Sequence, residues 1–153
     1  MKSKFVTIVC IMVMPLLFTG CVEWYMHKRI GHTRFHIVES DAHNAAGKSL
    51  PFLGYKTIMG DGYIVVNLGD YPLDVRWNKQ YILVRCFDGN DSETVTRYYI
   101  IDQKTRLLGL GPSYELQGYD TEEDFRAAVA TLGLDVQEMK YTDNHIPWHL
   151  PFF

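Results

Sequence analysis

Tyr81-Ile82-Leu83-Val84-Arg85-Cys86-Phe87 is the strongest strand signal in the chain, and its reading decides the fold class. The run is β-branched and aromatic, and it ends at Asp88-Gly89-Asn90-Asp91-Ser92, a polar, turn-prone cluster. Upstream, Val75 to Gln80 forms a second extended piece, and Gly69-Asp70-Tyr71-Pro72 breaks the run before it. Further back, Pro51 to Met59 and Tyr63 to Asn67 flank Gly60-Asp61-Gly62, the signature of a hairpin. Phe35 to Val38 has strand composition, and Ser40 to Ser49 reads as a loop. Downstream, Val95 to Asp102 is another strand, which Gln103-Lys104-Thr105 would turn into Arg106 to Gly109.

The period then changes. Thr121 followed by Glu122, Glu123 and Asp124 reads as an N-cap with an acidic first turn, favoured at the positive end of a helix dipole. Phe125, Ala128, Val129 and Leu132 fall on one helical stripe, and Gly133 is placed to end it in a left-handed conformation. Asp135 to Tyr141 reads as a last extended piece, followed by a greasy tail ending in Trp148, Phe152 and Phe153. Short turns between successive strands favour a meander over crossovers. The expected fold is therefore α+β: one antiparallel meander sheet of about five to seven strands, with one short amphipathic helix on one face.

The chain's first residues are of another kind. Lys2 and Lys4 precede an apolar run from Phe5 to Phe18, too short to span the ~20 residues a membrane helix needs. A charged start, a short apolar middle and small residues at the end form a secretory signal. Leu17-Phe18-Thr19-Gly20-Cys21 resembles the lipobox of bacterial lipoproteins, with Phe18 where leucine is usual. That resemblance implies cleavage between Gly20 and Cys21, and a mature N-terminus whose Cys21 carries a diacylglycerol and an N-acyl chain. An uncleaved anchor helix and an ordinary secreted protein are the competing readings. The expected organisation is a signal peptide over residues 1–20, a lipidated tether over 21–34 and one globular domain over 35–153. Basic residues in the tether, Lys28, Arg29 and Arg34, suit anionic headgroups at ~1 kcal/mol each.

Composition narrows the partners. The whole chain carries a formal charge of −3, and both signal lysines would be lost on cleavage. A net negative domain without a concentrated basic face argues against nucleic acid. With Cys10 in the signal and Cys21 under lipid, Cys86 stands alone and no intrachain disulfide is available.

A second resemblance spans Val75 to Leu134. Its carriers are Val75-Arg76-Trp77-Asn78, Tyr81 to Val84, Tyr98 to Thr105, Gly111-Pro112, Thr121 to Phe125 and Leu132-Gly133-Leu134. Together they resemble a family of small bacterial lipoproteins of uncharacterised function. The loop Ser113 to Gly118 and the length of Asp88 to Thr94 depart from that pattern. The likeness implies localisation and fold and brings no catalytic residues.

No catalytic constellation emerges. His32 and His36, if joined by a strand, lie ~13 Å apart, too far to share a metal, and Pro147 opposes a helix that would join His145 to His149. Cys86 sits mid-strand, alternating with Val84 opposite Leu83 and Phe87, as a buried thiol. Ser113 lacks a nucleophile-elbow frame, and Gly109-Leu110-Gly111 lacks the third glycine of a dinucleotide loop. No metal and no cofactor are expected. Tyr63, Trp77, Tyr81, Tyr98 and Tyr99 line successive strands, either as ladder packing or as a docking face. Trp148, Phe152 and Phe153 either pack on the domain or form an interaction segment.

The expected protein is a non-enzymatic envelope lipoprotein. It is held to the membrane through Cys21, to the outer membrane where the organism has one, because Val22 is not aspartate. Its domain would bind an envelope protein or a small ligand. An envelope hydrolase with a dispersed site and a structural spacer are the alternatives.

Overall fold

The computed structural model describes residues 27–57, 62–90, 94–103 and 114–143. Within them, β1 (His27–Arg29), β2 (Phe35–Val38), β3 (Phe52–Lys56) and β4 (Tyr63–Val65) form a four-stranded antiparallel meander in chain order. A second sheet is built from β5 (Tyr71–Trp77), β6 (Tyr81–Phe87), β7 (Val95–Asp102), β8 (Glu115–Tyr119) and β9 (Lys140–Asp143), in the order β8-β7-β6-β5-β9. Helix α1 (Glu122–Thr131) lies between β8 and β9 in the chain.

The fold is thus α+β and antiparallel, but it has two sheets where one meander was expected. The cause is visible in β6. Its Ile82, Val84 and Cys86 are buried in one core with Phe35, Ile37, Leu53 and Tyr55 of the first sheet. Leu83, on the opposite face, is buried with Ile100, Phe125, Val129 and Met139 under the helix. A strand apolar on both faces needs cover on both. One short helix covers one face, and the first sheet covers the other. The result is three layers: first sheet, second sheet, helix.

The second departure from a meander is β9. It pairs antiparallel with β5, at the opposite edge of the sheet from β8, so the chain crosses the sheet through α1. Arg76 holds this return in place: its Nη1 donates to the Val136 carbonyl at 3.1 Å, and its guanidinium lies over the Tyr141 ring. Pro72 is tolerated within β5 because the pairing with β9 reaches only to Asp74, so its missing N–H faces no partner there.

The helix forms as its residues dictate. Thr121 Oγ1 accepts from the Asp124 N–H at 3.1 Å, three acidic residues fill the first turn, and Phe125 and Val129 face the sheet. Tyr98 stacks on Phe125 with centroids 5.1 Å apart. Gly133 adopts a φ of 64°, as a left-handed terminator should. Leu132 departs from the expected stripe: it is the C-cap and is exposed, and Leu134, past the turn, packs on the helix-side core instead.

Of the stretch expected as a tether over residues 21–34, the structure describes residues 27–34. β1 pairs with β2 from His27, and Ile30 is fully buried, so residues 27–34 belong to the domain. Lys28 is turned to Asp143, and Arg34 donates to the Tyr55 hydroxyl. The strand β8, inside what read as a loop after Gly111-Pro112, was not foreseen; Glu115-Leu116-Gln117-Gly118-Tyr119 is too polar to announce itself. The turn after Gln103 and the piece Arg106 to Gly109 fall outside the described residues.

Candidate functional site

The described residues bring two groups of functional side chains together. The first is a cleft of about 430 Å³ lined by His32, Thr33, Trp77, Asn78, Lys79, Gln103, Glu138 and Lys140. It forms where the β1–β2 turn meets the β5–β6 turn and the start of β9. Each wall is fixed locally. In the first turn, Thr33 Oγ1 donates to the Ile30 carbonyl at 2.7 Å and accepts from the Phe35 N–H at 3.1 Å. Gly31 has a φ of 55°, and a Cβ there would stand 2.3 Å from Trp77 Nε1, so only glycine lets the turn lie against the indole. In the second turn, Asn78 Oδ1 accepts from the N–H groups of Gln80 and Tyr81. Trp77 pairs with Ile82 on one side and Lys140 on the other, which sets Lys140 beside the indole.

The cleft combines an aromatic plate, the side chains of His32, Lys79 and Lys140, and one carboxylate, Glu138. Gln103 is one of the lining residues; its Nε2 is buried without a hydrogen-bond partner, and Oδ1 of the preceding Asp102 is in the same state. A buried unsatisfied polar atom costs about 1–3 kcal/mol, and because Nε2 is closed to solvent the Gln103 side chain would have to turn outward before it could donate to anything in the cleft. This is chemistry for holding a polar ligand against an aromatic face.

The second group lies on the outer face of the first sheet. His36, on β2, is 5 % exposed and forms a triangle of rings with His27 and Tyr63, with centroids 5.0 to 5.8 Å apart. The Tyr63 hydroxyl and His36 Nδ1 are 3.4 Å apart. Gly54, paired with His36, makes room: a Cβ there would stand 3.1 Å from Tyr63 and from Val38. Burial, then the charges of His27, Arg29 and Lys56, lower the His36 pKa to about 4, so its ring is neutral at physiological pH. Burial raises the Tyr63 pKa.

His32 and His36 do not come together: His32 lines the cleft, while His36 meets His27. Among the described residues, no group of three or more His, Cys, Asp or Glu side chains could hold a metal ion. Cys86 is fully buried between the sheets, and burial, aided by Asp70 and Asp74, pushes its thiol pKa far up. Both its burial and its raised pKa disfavour the thiolate form. Gly20, Cys21, Ser113, His145, His149, Trp148, Phe152 and Phe153 lie outside the described residues. Trp77, which the sequence left open between ladder packing and a docking face, lines the cleft as its aromatic plate, and His27 had carried no signal at all. The neighbours of both were not legible locally, because each gains them from strands distant in the chain.

In comparisons with protein-family models, curated proteins and solved structures, nothing matches this chain.

Proposed function

We propose that this protein is a lipid-anchored protein of the bacterial envelope whose two-sheet domain is a non-enzymatic binding module, with the cleft around Trp77 as its recognition site. The anchor rests on Leu17 to Cys21, and the binding role is carried by one observation, a cleft of about 430 Å³ that sets Trp77 beside His32, Lys79, Lys140 and Glu138. The burial of the Cys86 thiol supports this reading, since an enzymatic one would draw on Cys86 or Ser113 as its nucleophile. The ligand is a small polar molecule or a peptide end from the envelope, able to lie on an indole and to pair with the side chains of Lys79, Lys140 and Glu138.

The binding claim is tested by a photoreactive residue in place of Lys79 in the full chain in its native envelope. A defined mass adduct is expected there, lost when Trp77→Ala is added, and absent when the same group replaces Glu123 on the helix. Adducts of equal yield at both positions would overturn the cleft as the recognition site.

A further inference from the structure

The two outer faces of the three-layer domain carry opposite charge. The strands of the first sheet contain His27, Lys28, Arg29 and Lys56 and no carboxylate. Antiparallel register places His27, Arg29, His36, Lys56, Tyr63 and Val65 on one face of that sheet, the face turned away from the core. Lys28 points to the other side, toward Asp143. Arg29 is exposed and donates to the carbonyl oxygens of His32 and Thr33, and Lys56 is exposed. Between them Tyr63 lies half-buried, and Val65 is 58 % exposed, the most exposed large hydrophobic residue described. Across the molecule, the helix layer presents Asp120, Glu122, Glu123, Asp124, Asp135 and Glu138, all exposed, against one basic residue of the helix, Arg126; Arg126 pairs with Glu122, and Asp120 pairs with Arg97.

The chain ties this basic face to one place. Five residues, Val22 to Met26, separate Cys21 from β1, so even fully extended they hold the start of β1 within ~20 Å of a lipidated Cys21. The helix is two layers further away. We infer that the outer face of the first sheet rests on the bilayer, with Arg29 and Lys56 against anionic lipid headgroups, Tyr63 and Val65 at the interface and the acidic helix turned to the aqueous side. Both halves of the charge pattern favour this orientation: an anionic surface attracts the first sheet and repels the helix. Tyrosine suits the headgroup level because its ring is apolar and its hydroxyl is wet. The inference rests on the anchor proposed above, but it makes a separate claim about which face the anchor presents.

The test uses full-length protein carrying Val65→Cys, or Glu123→Cys as control, reconstituted into vesicles of zwitterionic lipid with or without about 30 mol% phosphatidylglycerol. Labelling by a membrane-impermeant thiol reagent is followed against parent protein with neither added cysteine. Val65→Cys is expected to label roughly fivefold more slowly on the anionic vesicles, and Glu123→Cys at the same rate on both. Salt at about 0.5 M, or Arg29→Glu with Lys56→Glu, is expected to restore fast labelling at Val65→Cys. Equal rates for Val65→Cys on the two lipids would overturn the inference. So would equal protection in detergent at a protein concentration that yields dimers, since a second copy would then be the cover. The mass of Cys21 in the same preparation reports on the anchor alone: a lipid on Cys21 with equal labelling sinks the orientation and leaves the anchor standing.

Discussion

His36 gives the sharpest physical prediction. Its ring is 5 % exposed beneath Tyr63, and its pKa falls from 6.5 to about 4 through burial and the nearby charges of His27, Arg29 and Lys56. The unfolded chain therefore binds a proton at this residue more readily than the folded one, and acidification favours unfolding. The stability associated with the neutral ring is fully present above pH 6.5 and is lost as the pH falls toward 4. At 1.36 kcal/mol per unit, the loss from this one residue is about 1 kcal/mol at pH 6, about 2 at pH 5 and about 3 at pH 4. Carboxylates titrate in the same range, so the comparison needs a variant that removes only the histidine. His36→Gln keeps a polar side chain that does not titrate. Urea unfolding of both proteins at pH about 7, 6, 5 and 4 is expected to show the wild type losing about 3 kcal/mol more than the variant across the series. Parallel curves would refute the reasoning, because they would mean that the ring takes up its proton as easily folded as unfolded.

Three further outcomes follow from the packing. Gly54→Ala would push a methyl to 3.1 Å from Tyr63 and Val38, and is expected to lower stability by ~1–3 kcal/mol in thermal unfolding; an unchanged Tm would contradict the packing of Tyr63 over Gly54. Cys86 is expected to resist a thiol reagent in the native protein and to react once denaturant is added, whereas fast native labelling would place it outside the inter-sheet core. Asp74, 4 % exposed, takes a two-pronged ion pair from Arg85. Arg85→Met should cost about 2–3 kcal/mol, below the full penalty for stranding a buried charge because the guanidinium's outer edge is in water. Asp74→Asn added to Arg85→Met should recover part of that loss, and a double variant no more stable than the single one would argue against a stranded carboxylate.

Local chemistry made much of this fold readable. Phe35 to Val38 and Val95 to Asp102 are strands with the bounds their composition marks, and Phe52–Lys56 pairs with Tyr63–Val65 as the expected hairpin. Thr121 and Gly133 close the helix as their side chains dictate. What escaped was decided between distant segments. The double-sided apolar pattern of β6 already held the need for a second layer, but composition alone does not say whether a sheet or a helix supplies it. β8 escaped because a polar edge strand gains its identity from Tyr98 to Asp102 alongside it. Asp135 to Tyr141 reads as one extended piece, but residues 136–138 form a turn and the strand is Lys140–Asp143, whose place beside β5 depends on Arg76 reaching Val136 and Tyr141. The cleft escaped for the same reason: His32, Trp77, Gln103 and Lys140 meet only once both sheets and the crossover are built. Cys86 was legible because alternation with Val84 fixes its face whatever covers it.

The claim on which the functional reading depends is the anchor at Cys21. Its most direct test is the intact mass of the protein extracted from the bacterial envelope in detergent, with fragment masses assigning any modification. The account predicts a chain that begins at Cys21 and carries diacylglycerol on its sulfur, with the Cys21→Ser variant unlipidated and either unprocessed or released to the soluble fraction. A wild-type chain that keeps residues 1–20, or one whose Cys21 bears no lipid, would contradict it.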